Sequence, residues 1–143
     1  MGLDMYLEGE KYIGFGDEIK VIVEPDILKG YNVKKVIVEL MYWRKANQIH
    51  QWFVTNIQKG KDDCERYYVS EECLQKLYTA VCKVLDEHDK AETLLPTLGG
   101  FFFGGTDYNE YYFKDLEETK VGLEKLFASD VLKNFSAYYH SSW

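Results

Sequence analysis

The residues best suited to chemistry in this 143-residue chain cluster in residues 42–58, which hold two of the three tryptophans, one of the three histidines and an Arg-Lys pair. Arginine forks onto phosphate oxygens, asparagine pairs with base edges, and aromatic rings stack on bases. Trp43, Arg44, Asn47 and His50 therefore indicate a binding site for a planar or anionic ligand.

These residues are predicted to lie on a helix that spans residues 42–58. With a helical period, its apolar side chains form one broad face. That face consists of Trp43, Ala46, Ile49, His50, Phe53, Val54 and Ile57. Free N–H groups and the positive end of the helix dipole would favour an anion near the start of the helix. Two interpretations stay open: Trp43 and His50 belong to the core, or they line a pocket together with Arg44 and Asn47.

A second group of candidates lies in and after residues 99–105, where three adjacent phenylalanines stand between paired glycines. Adjacent side chains of a strand point to opposite faces, so the three rings cannot share one side, and the glycines suggest backbone that passes close to another element. The ligand-binding residues predicted from both segments are Tyr42, Trp43, Arg44, Asn47, His50, Phe103, Thr106, Tyr108 and Tyr111.

Motifs for catalysis are missing from the sequence. It has no GxSxG, GxxxxGK or GxGxxG pattern, and no cysteine stands in a known nucleophile context. Cys64, Cys73 and Cys82 are nine residues apart without a CxxC pair, which fits neither a metal site nor a disulfide framework. We therefore expect binding rather than enzymatic turnover, with no catalytic residue, no cofactor and no metal.

The charge is unevenly distributed. The net charge is −7, yet residues 20–61 hold eight basic and three acidic side chains, a local balance of +5. General DNA or RNA binding requires neutralisation of many phosphates, so we expect none. A local anion site on an acidic protein remains compatible with this distribution. Aromatic residues make up 16% of the chain and provide flat surface for stacking or for an interface.

The hydrophobic pattern predicts one α+β domain over residues 1–143, with a small antiparallel or mixed sheet from the N-terminal strands packed against three to four helices. Residues 8–17 are predicted to form a loop or hairpin tip. Strands are predicted near residues 3–7, 19–24 and 33–40, with a short extended segment near 64–69. Further helices are predicted from a Ser70 cap to about residue 88, from an Asp107 cap through residue 127, and from a Ser129 cap through Tyr139. The start has no signal-peptide pattern and no apolar run is long enough for a membrane helix, so we expect a soluble, intracellular protein.

Four sequence blocks, in order, resemble a widespread group of small tailed-phage and prophage proteins. An MGLDMYL start is followed by YWRKAN-x-IH-x-WF at residues 42–53, by DDC and YYVS at residues 62–70, and by LLPT with GFFFG-x-T-x-Y at residues 94–108. The resemblance covers nearly the whole chain except residues 8–35 and those after 128. Gly105 stands where the group usually has Ser, and Asn109 where it usually has Asp.

The resemblance implies a phage accessory protein in the host bacterial cytoplasm, without an agreed activity. By analogy with small phage counter-defence factors, it implies sequestration of a nucleotide-type immune signal, such as a cyclic nucleotide or a cyclic ADP-ribose-like molecule, without cleavage. An alternative is an acidic protein–protein inhibitor of a host defence complex that mimics nucleic-acid charge. The expected partners are thus a small nucleotide-like ligand or a host defence protein, with homo-oligomers as a further candidate and no membrane.

Overall fold

The structure, a computed structural model, describes residues 2–14 and 27–143. Its strands are β1 (Asp4–Tyr12), β2 (Lys35–Arg44), β3 (Tyr67–Val69) and β4 (Ser136–Ser142). Its helices are α1 (Asn47–Asn56), α2 (Glu71–Asp86), α3 (Ala91–Leu94), α4 (Glu110–Ala128) and α5 (Val131–Asn134), with a 3₁₀ turn, His88–Lys90, before α3. The predicted α+β class is confirmed. Within the described ranges, every helix is too short or too polar to cross a membrane.

The sheet is antiparallel throughout and has the strand order β2-β1-β4-β3. Strand β1 lies between β2, the next strand along the chain, and β4, the last strand. Met5 pairs with Trp43 of β2 on one side and with Ser141 of β4 on the other. The register between β1 and β2 shifts between Leu7 and Glu8, which marks a bulge in the pairing. The neighbouring strands β1 and β4 are therefore separated in sequence by almost the entire chain.

One face of the sheet and the helices share a hydrophobic core. Alternate residues of the central strands, including Met5, Leu7 and Tyr139, are fully buried there. The opposite face is polar and partly exposed: Arg66 binds Glu8 and Glu10 through N–O contacts of 3.2 and 2.8 Å. The alternation follows from the two-residue period of a strand with one buried face.

The predicted helix over residues 42–58 begins too early. Residues 42–44 are the end of β2, where Tyr42 pairs with Tyr6 and Trp43 with Met5, and α1 begins only at Asn47. Between them Lys45 has a φ of 57°, a left-handed conformation that ends the strand and redirects the chain. Trp43, which was predicted to lie on the apolar face of the helix, belongs to a strand, where alternation also buries it.

The C-terminal helix that was predicted to run through Tyr139 is also wrong. Helix α5 covers only Val131–Asn134, and the following residues form β4. Ala137, Tyr139 and Ser141 are buried and alternate with more exposed neighbours, which is the strand pattern. The short Ser136–Ser142 segment is stabilised by partners on both sides, β1 and β3.

Three smaller differences concern element boundaries. Residues 8–12, predicted as a loop, continue β1, because Gly9 packs closely against β2 and Glu10 forms an ion pair of 2.8 Å with Lys35. Helix α4 is capped by Asn109 rather than Asp107. The strand predicted over residues 19–24 lies outside the described residues, as do residues 15–17 of the predicted loop. The Ser70 cap of α2 is confirmed, since its hydroxyl accepts a hydrogen bond from the Cys73 amide.

A buried hydrogen bond ties α1 to the sheet. The Tyr139 hydroxyl lies 2.7 Å from His50 Nδ1, and the Tyr139 ring stacks on Phe53 with centroids 3.9 Å apart. His50 Nε2 lies 3.0 Å from Asp62 Oδ2. Because a carboxylate only accepts, the consistent arrangement has Nε2–H donating to Asp62 and Nδ1 accepting from Tyr139. Burial raises the pKa of Tyr139 well above its ordinary value, so this hydroxyl keeps its proton.

Tyr139→Phe tests this tie. The ring and its stack on Phe53 remain, but His50 Nδ1 loses its donor in a buried site, so the free energy of unfolding should fall by about 1–3 kcal/mol. Tyr68→Phe is the matched control, because Tyr68 is 60% exposed on β3, and it should change stability by less than about 0.5 kcal/mol. Urea denaturation measures both. Equal values for the two variants would contradict the role given to the Tyr139 hydroxyl.

Candidate functional site

The start of α1 is held by backbone contacts. The Lys45 amide donates to the carbonyl of Leu3, the residue before β1, at 2.8 Å, which fixes the turn between β2 and α1. No described side chain caps the first turn of α1, but three of its first four amides have backbone acceptors: the Asn47 amide donates to the Lys45 carbonyl, and the Ile49 and His50 amides donate to the Ala46 carbonyl. The positive end of the helix dipole still favours an acceptor group near this end of α1.

Asn47 clamps the glycine-framed segment to α1. Its Nδ2 donates to the carbonyls of Phe103 and Gly105 at 3.1 and 2.8 Å, and its Oδ1 accepts from the Leu98 amide at 3.0 Å. The side chain is 1% exposed and uses both ends of its amide group. Asn47 therefore positions the loop and has no donor left for a ligand.

The clamped loop passes very close to Lys45. Gly104 has a φ of +93°, and a Cβ at this position would lie 3.1 Å from Lys45 Cβ, so only glycine fits without strain. Phe103 is buried and meets His50 edge-on, whereas Phe101 and Phe102 remain exposed. The three rings therefore do not share one side, as predicted, although the segment is a loop and not a strand.

A cleft of about 340 Å³ opens where this loop, the start of α1 and the first turns of α4 meet. We call it the first cleft. It is lined by Arg44, Lys45, Gln48, Thr97, Gly104, Gly105, Asp107, Asn109, Tyr111, Tyr112 and Asp115. Two cations, two carboxylates, several amide and hydroxyl groups and two tyrosine rings therefore converge on one concave surface, in the size range of small-molecule sites.

Helix α4 supplies the tyrosines and a half-buried carboxylate. Asn109 caps the helix by accepting from the amides of Tyr111 and Tyr112, which orients its first turn. Gln48 Nε2 donates to Asp115 Oδ2 at 3.3 Å. Burial raises the pKa of the Asp115 carboxyl, opposed by the hydrogen bond from Gln48. Burial likewise raises the pKa of Tyr112, whose hydroxyl donates to the Leu95 carbonyl at 2.7 Å.

A second cleft of about 280 Å³ adjoins the first. It lies between the end of β2 and α4 and is lined by Met41, Tyr42, Trp43, Arg44, Asp115 and Glu118. Arg44 and Asp115 border both clefts. The Tyr42 ring is 45% exposed, and its hydroxyl donates to Asp4, which raises the pKa of Tyr42. Arg44 lies 3.5 Å from the same Asp4 oxygen, with its side chain 56% exposed.

The predicted ligand-binding residues separate into a cleft group and an internal group. Arg44 and Tyr111 line the first cleft, and Tyr42 lines the second. Trp43 borders the second cleft but is only 6% exposed, and its indole donates to Thr119 Oγ1 at 2.8 Å. Asn47, His50 and Phe103 are buried behind the first cleft, so the core interpretation of Trp43 and His50 describes their placement.

Thr106 and Tyr108 support the loop rather than the lining of either cleft. The Thr97 hydroxyl donates to the Thr106 carbonyl at 3.0 Å. The Thr97 amide donates to the Tyr108 hydroxyl at 3.3 Å. These bonds hold the rim beside Thr97, which itself lines the first cleft.

Sequence reasoning missed several lining groups. Lys45 belongs to the Arg-Lys pair on which the prediction of this segment was based, so its charge could have identified it as a lining residue. Gln48 is not part of the apolar face of the predicted helix, yet it is 2% exposed and donates to the Tyr112 carbonyl as well as to Asp115. Asp115 had no local signal, because it is one of 24 acidic residues and only the packing of α4 against α1 distinguishes it.

Comparisons with protein-family models, with curated proteins and with solved structures found no match to this chain. Within residues 2–14 and 27–143, no group of three or more side chains is arranged to hold a metal ion. The site is therefore interpreted from its own geometry.

Asn47→Asp tests the clamp. The substitution keeps the acceptor for Leu98 but turns an oxygen toward the carbonyls of Phe103 and Gly105, so the free energy of unfolding should fall by more than about 2 kcal/mol. Asn56→Asp is the control in the same helix, since exposed Asn56 donates to one carbonyl, and it should cost less than about 1 kcal/mol. Urea denaturation gives both values. A mild effect at Asn47 would show that the loop does not need the clamp.

Asp115→Asn should stabilise the protein at pH 7. Because the folded state raises the pKa of Asp115, the folded state binds more protons than the unfolded state, and the wild type loses stability as the pH rises above the ordinary value of 3.8. Asparagine removes that loss, so the gain over wild type should be present at pH 7 and vanish below pH 3.8. Paired urea titrations across this range measure it. Glu117→Gln, exposed on the same helix, should show no such gain; a gain for Asp115→Asn that is independent of pH would contradict the assignment.

Proposed function

We propose that this protein binds a nucleotide-type ligand in the first cleft and holds it without cleaving it. The observation that supports the proposal is the convergence of Arg44 and Lys45 with the exposed Tyr111 ring beside the start of α1. Phosphates are favoured by cations, and bases by exposed aromatic rings. A nucleotide combines both requirements in one small molecule.

The remaining lining groups suit the polar edge of a base or a ribose. Asp107 and Asp115 accept hydrogen bonds, and Gln48 adds an amide group beside Asp115. Carboxylates disfavour phosphate in their immediate vicinity but pair well with base N–H donors and sugar hydroxyls. The proposed orientation therefore directs the phosphates toward Arg44 and Lys45 and the base toward α4.

Capture rather than turnover is supported by the chemistry of the lining. The described residues that border the first cleft include neither histidine nor cysteine, the side chains most often used as base or nucleophile. His50, the nearest candidate along α1, is fully buried, and both of its ring nitrogens have partners. The groups available to a ligand are thus suited to hydrogen bonding, ion pairing and stacking.

The phage resemblance supplies the biological part of the proposal. In that setting the ligand is a nucleotide signal of bacterial immunity, such as a cyclic nucleotide or a cyclic ADP-ribose-like molecule, and the protein acts as a sponge in the host cytoplasm. The alternative, an acidic inhibitor that mimics nucleic acid, has weaker support from the charge pattern. On α4, Glu118 and Glu124 lie 3.9 Å from Lys114 and Lys120, so two of the five carboxylates on this helix have a basic neighbour.

Capture and release test the proposal directly. The purified chain is incubated with a mixture of cyclic mononucleotides, cyclic dinucleotides and cyclic ADP-ribose, freed of excess ligand by gel filtration, and heat-denatured. Chromatography of the supernatant should recover an intact nucleotide. Recovery of only cleaved products would identify an enzyme, and recovery of nothing would contradict nucleotide binding.

Arg44→Ala should weaken capture by about 10- to 100-fold, the range that corresponds to the loss of a charge-assisted hydrogen bond. Stability should hardly change, because the Arg44 side chain is 56% exposed and its pair with Asp4 is at the surface. Lys76→Ala on α2 removes a comparably exposed cation away from the cleft and should leave capture unchanged. Isothermal titration with the recovered nucleotide measures all three proteins. Unchanged affinity in Arg44→Ala would remove Arg44 from the site.

A further inference from the structure

Asp115 is a half-buried carboxylate in the lining of the first cleft, and most of its acceptor capacity is unused. A carboxylate has two oxygens with about four acceptor positions. Among the described residues, the one side-chain donor to Asp115 is Gln48, whose Nε2 lies 3.3 Å from Oδ2. The remaining acceptor positions of Asp115 are therefore left for solvent or for a ligand with N–H or O–H donors.

Helix α4 places this carboxylate beside an exposed ring. Tyr111 and Asp115 are four residues apart, so they lie on the same side of the helix, about 6 Å apart along its axis. Both line the first cleft, and the Tyr111 side chain is 70% exposed. A base that stacks on Tyr111 would therefore bring its polar edge toward Asp115.

The donors nearest to Asp115 already have partners inside the protein. Gln48 is 2% exposed, and its Nε2 donates to the Tyr112 carbonyl as well as to Asp115, each at 3.3 Å. The Tyr112 hydroxyl donates to the Leu95 carbonyl at 2.7 Å. At this position the cleft thus offers a base edge a carboxylate acceptor, and an edge that presents its own acceptor there would be repelled.

Guanine is the standard base whose pairing edge carries two adjacent donors, the N1–H and the 2-amino group. The two oxygens of one carboxylate can accept from both. Adenine places the lone pair of N1 next to its 6-amino group, and cytosine likewise places that of N3 next to its 4-amino group, so each would set an acceptor against the carboxylate. Uracil has one donor between two carbonyl oxygens. Among the four bases, guanine is therefore the best match to Asp115.

We infer that the first cleft selects guanine nucleotides, with the Asp115 carboxylate accepting from N1–H and the 2-amino group of a base stacked on Tyr111. This inference rests on the proposed function and narrows its ligand class by base. Gln48 is a positioning residue, because it holds the carboxylate from behind. Burial raises the pKa of Asp115 and so makes it a cost to the stability of the free protein at pH 7, a cost that is typical of groups retained for function.

The first test compares bases on the full chain by isothermal titration. The probes are 5′-GMP, 5′-IMP and 5′-AMP, with the 3′,5′-cyclic forms of the same three. Guanine probes should bind about 10- to 100-fold more tightly than adenine probes, as a matched pair of hydrogen bonds requires. Inosine probes, which keep N1–H but lack the amino group, should fall between them.

Two results would overturn the inference. Adenine probes that bind as tightly as guanine probes would do so and leave the proposed function standing. Absence of binding by every guanine probe would also do so, and the capture and release experiment then decides separately whether the protein binds a different nucleotide.

The second test exchanges the carboxylate for an amide. Asp115→Asn should weaken the guanine probes by about 10- to 100-fold without weakening the adenine probes, because asparagine offers one donor and one acceptor and pairs well with adenine. The variant should fold, since it is expected to be more stable than wild type at pH 7. Glu117→Gln, on the same helix and exposed, should leave all affinities unchanged. A guanine-to-adenine ratio that is unchanged in Asp115→Asn, including equal weakening of both bases, would overturn the inference.

Discussion

The arrangement of the site depends on the side-chain amide of Asn47. Its three hydrogen bonds hold Leu98, Phe103 and Gly105 against the first turn of α1, so one residue determines where the glycine-framed segment lies. Without that position the loop would not form a wall of the first cleft beside Lys45. A buried side-chain amide with every donor and acceptor paired fixes the position of its partners. Any displacement of the loop would leave buried donors and acceptors unsatisfied, at a cost of about 1–3 kcal/mol each. The cleft is thus shaped by a residue that does not line it.

Elements with local signals were predictable from the sequence. Helix α2 begins after the Ser70 cap, and its stripe of Leu74, Leu77 and Val81 is buried as the helical period requires. Strand β4 was not predictable, since the short segment that holds Tyr139 is compatible with a helix or a strand until its partner β1 is known. Capping and periodicity act over a few residues, whereas strand pairing is decided by contacts far apart in the chain.

The sequence predicted the kinds of side chain at the candidate site better than it predicted their positions. Arg44 and Tyr111 line the first cleft because exposed charged and aromatic side chains at the end of a strand and the start of a helix remain accessible. His50 and Asn47 were predicted for the same chemical reasons, but the polar atoms of each are hydrogen-bonded to other residues of the protein. Residue type alone does not reveal these internal partners. Asp115 gains its significance only from the packing of α4 beside Gln48.

The position of β4 has a consequence for how the chain is made. The contact between Glu8 of β1 and His140 of β4 spans 132 residues, and β4 leaves the ribosome after every other described element. At roughly 5–20 residues per second, β1 waits on the order of ten seconds for its second neighbour. During that time its edge offers unpaired amides and carbonyls to any other strand. Pairing of this open edge with other nascent chains is therefore a route to aggregation, and chaperones that cover the edge would suppress it.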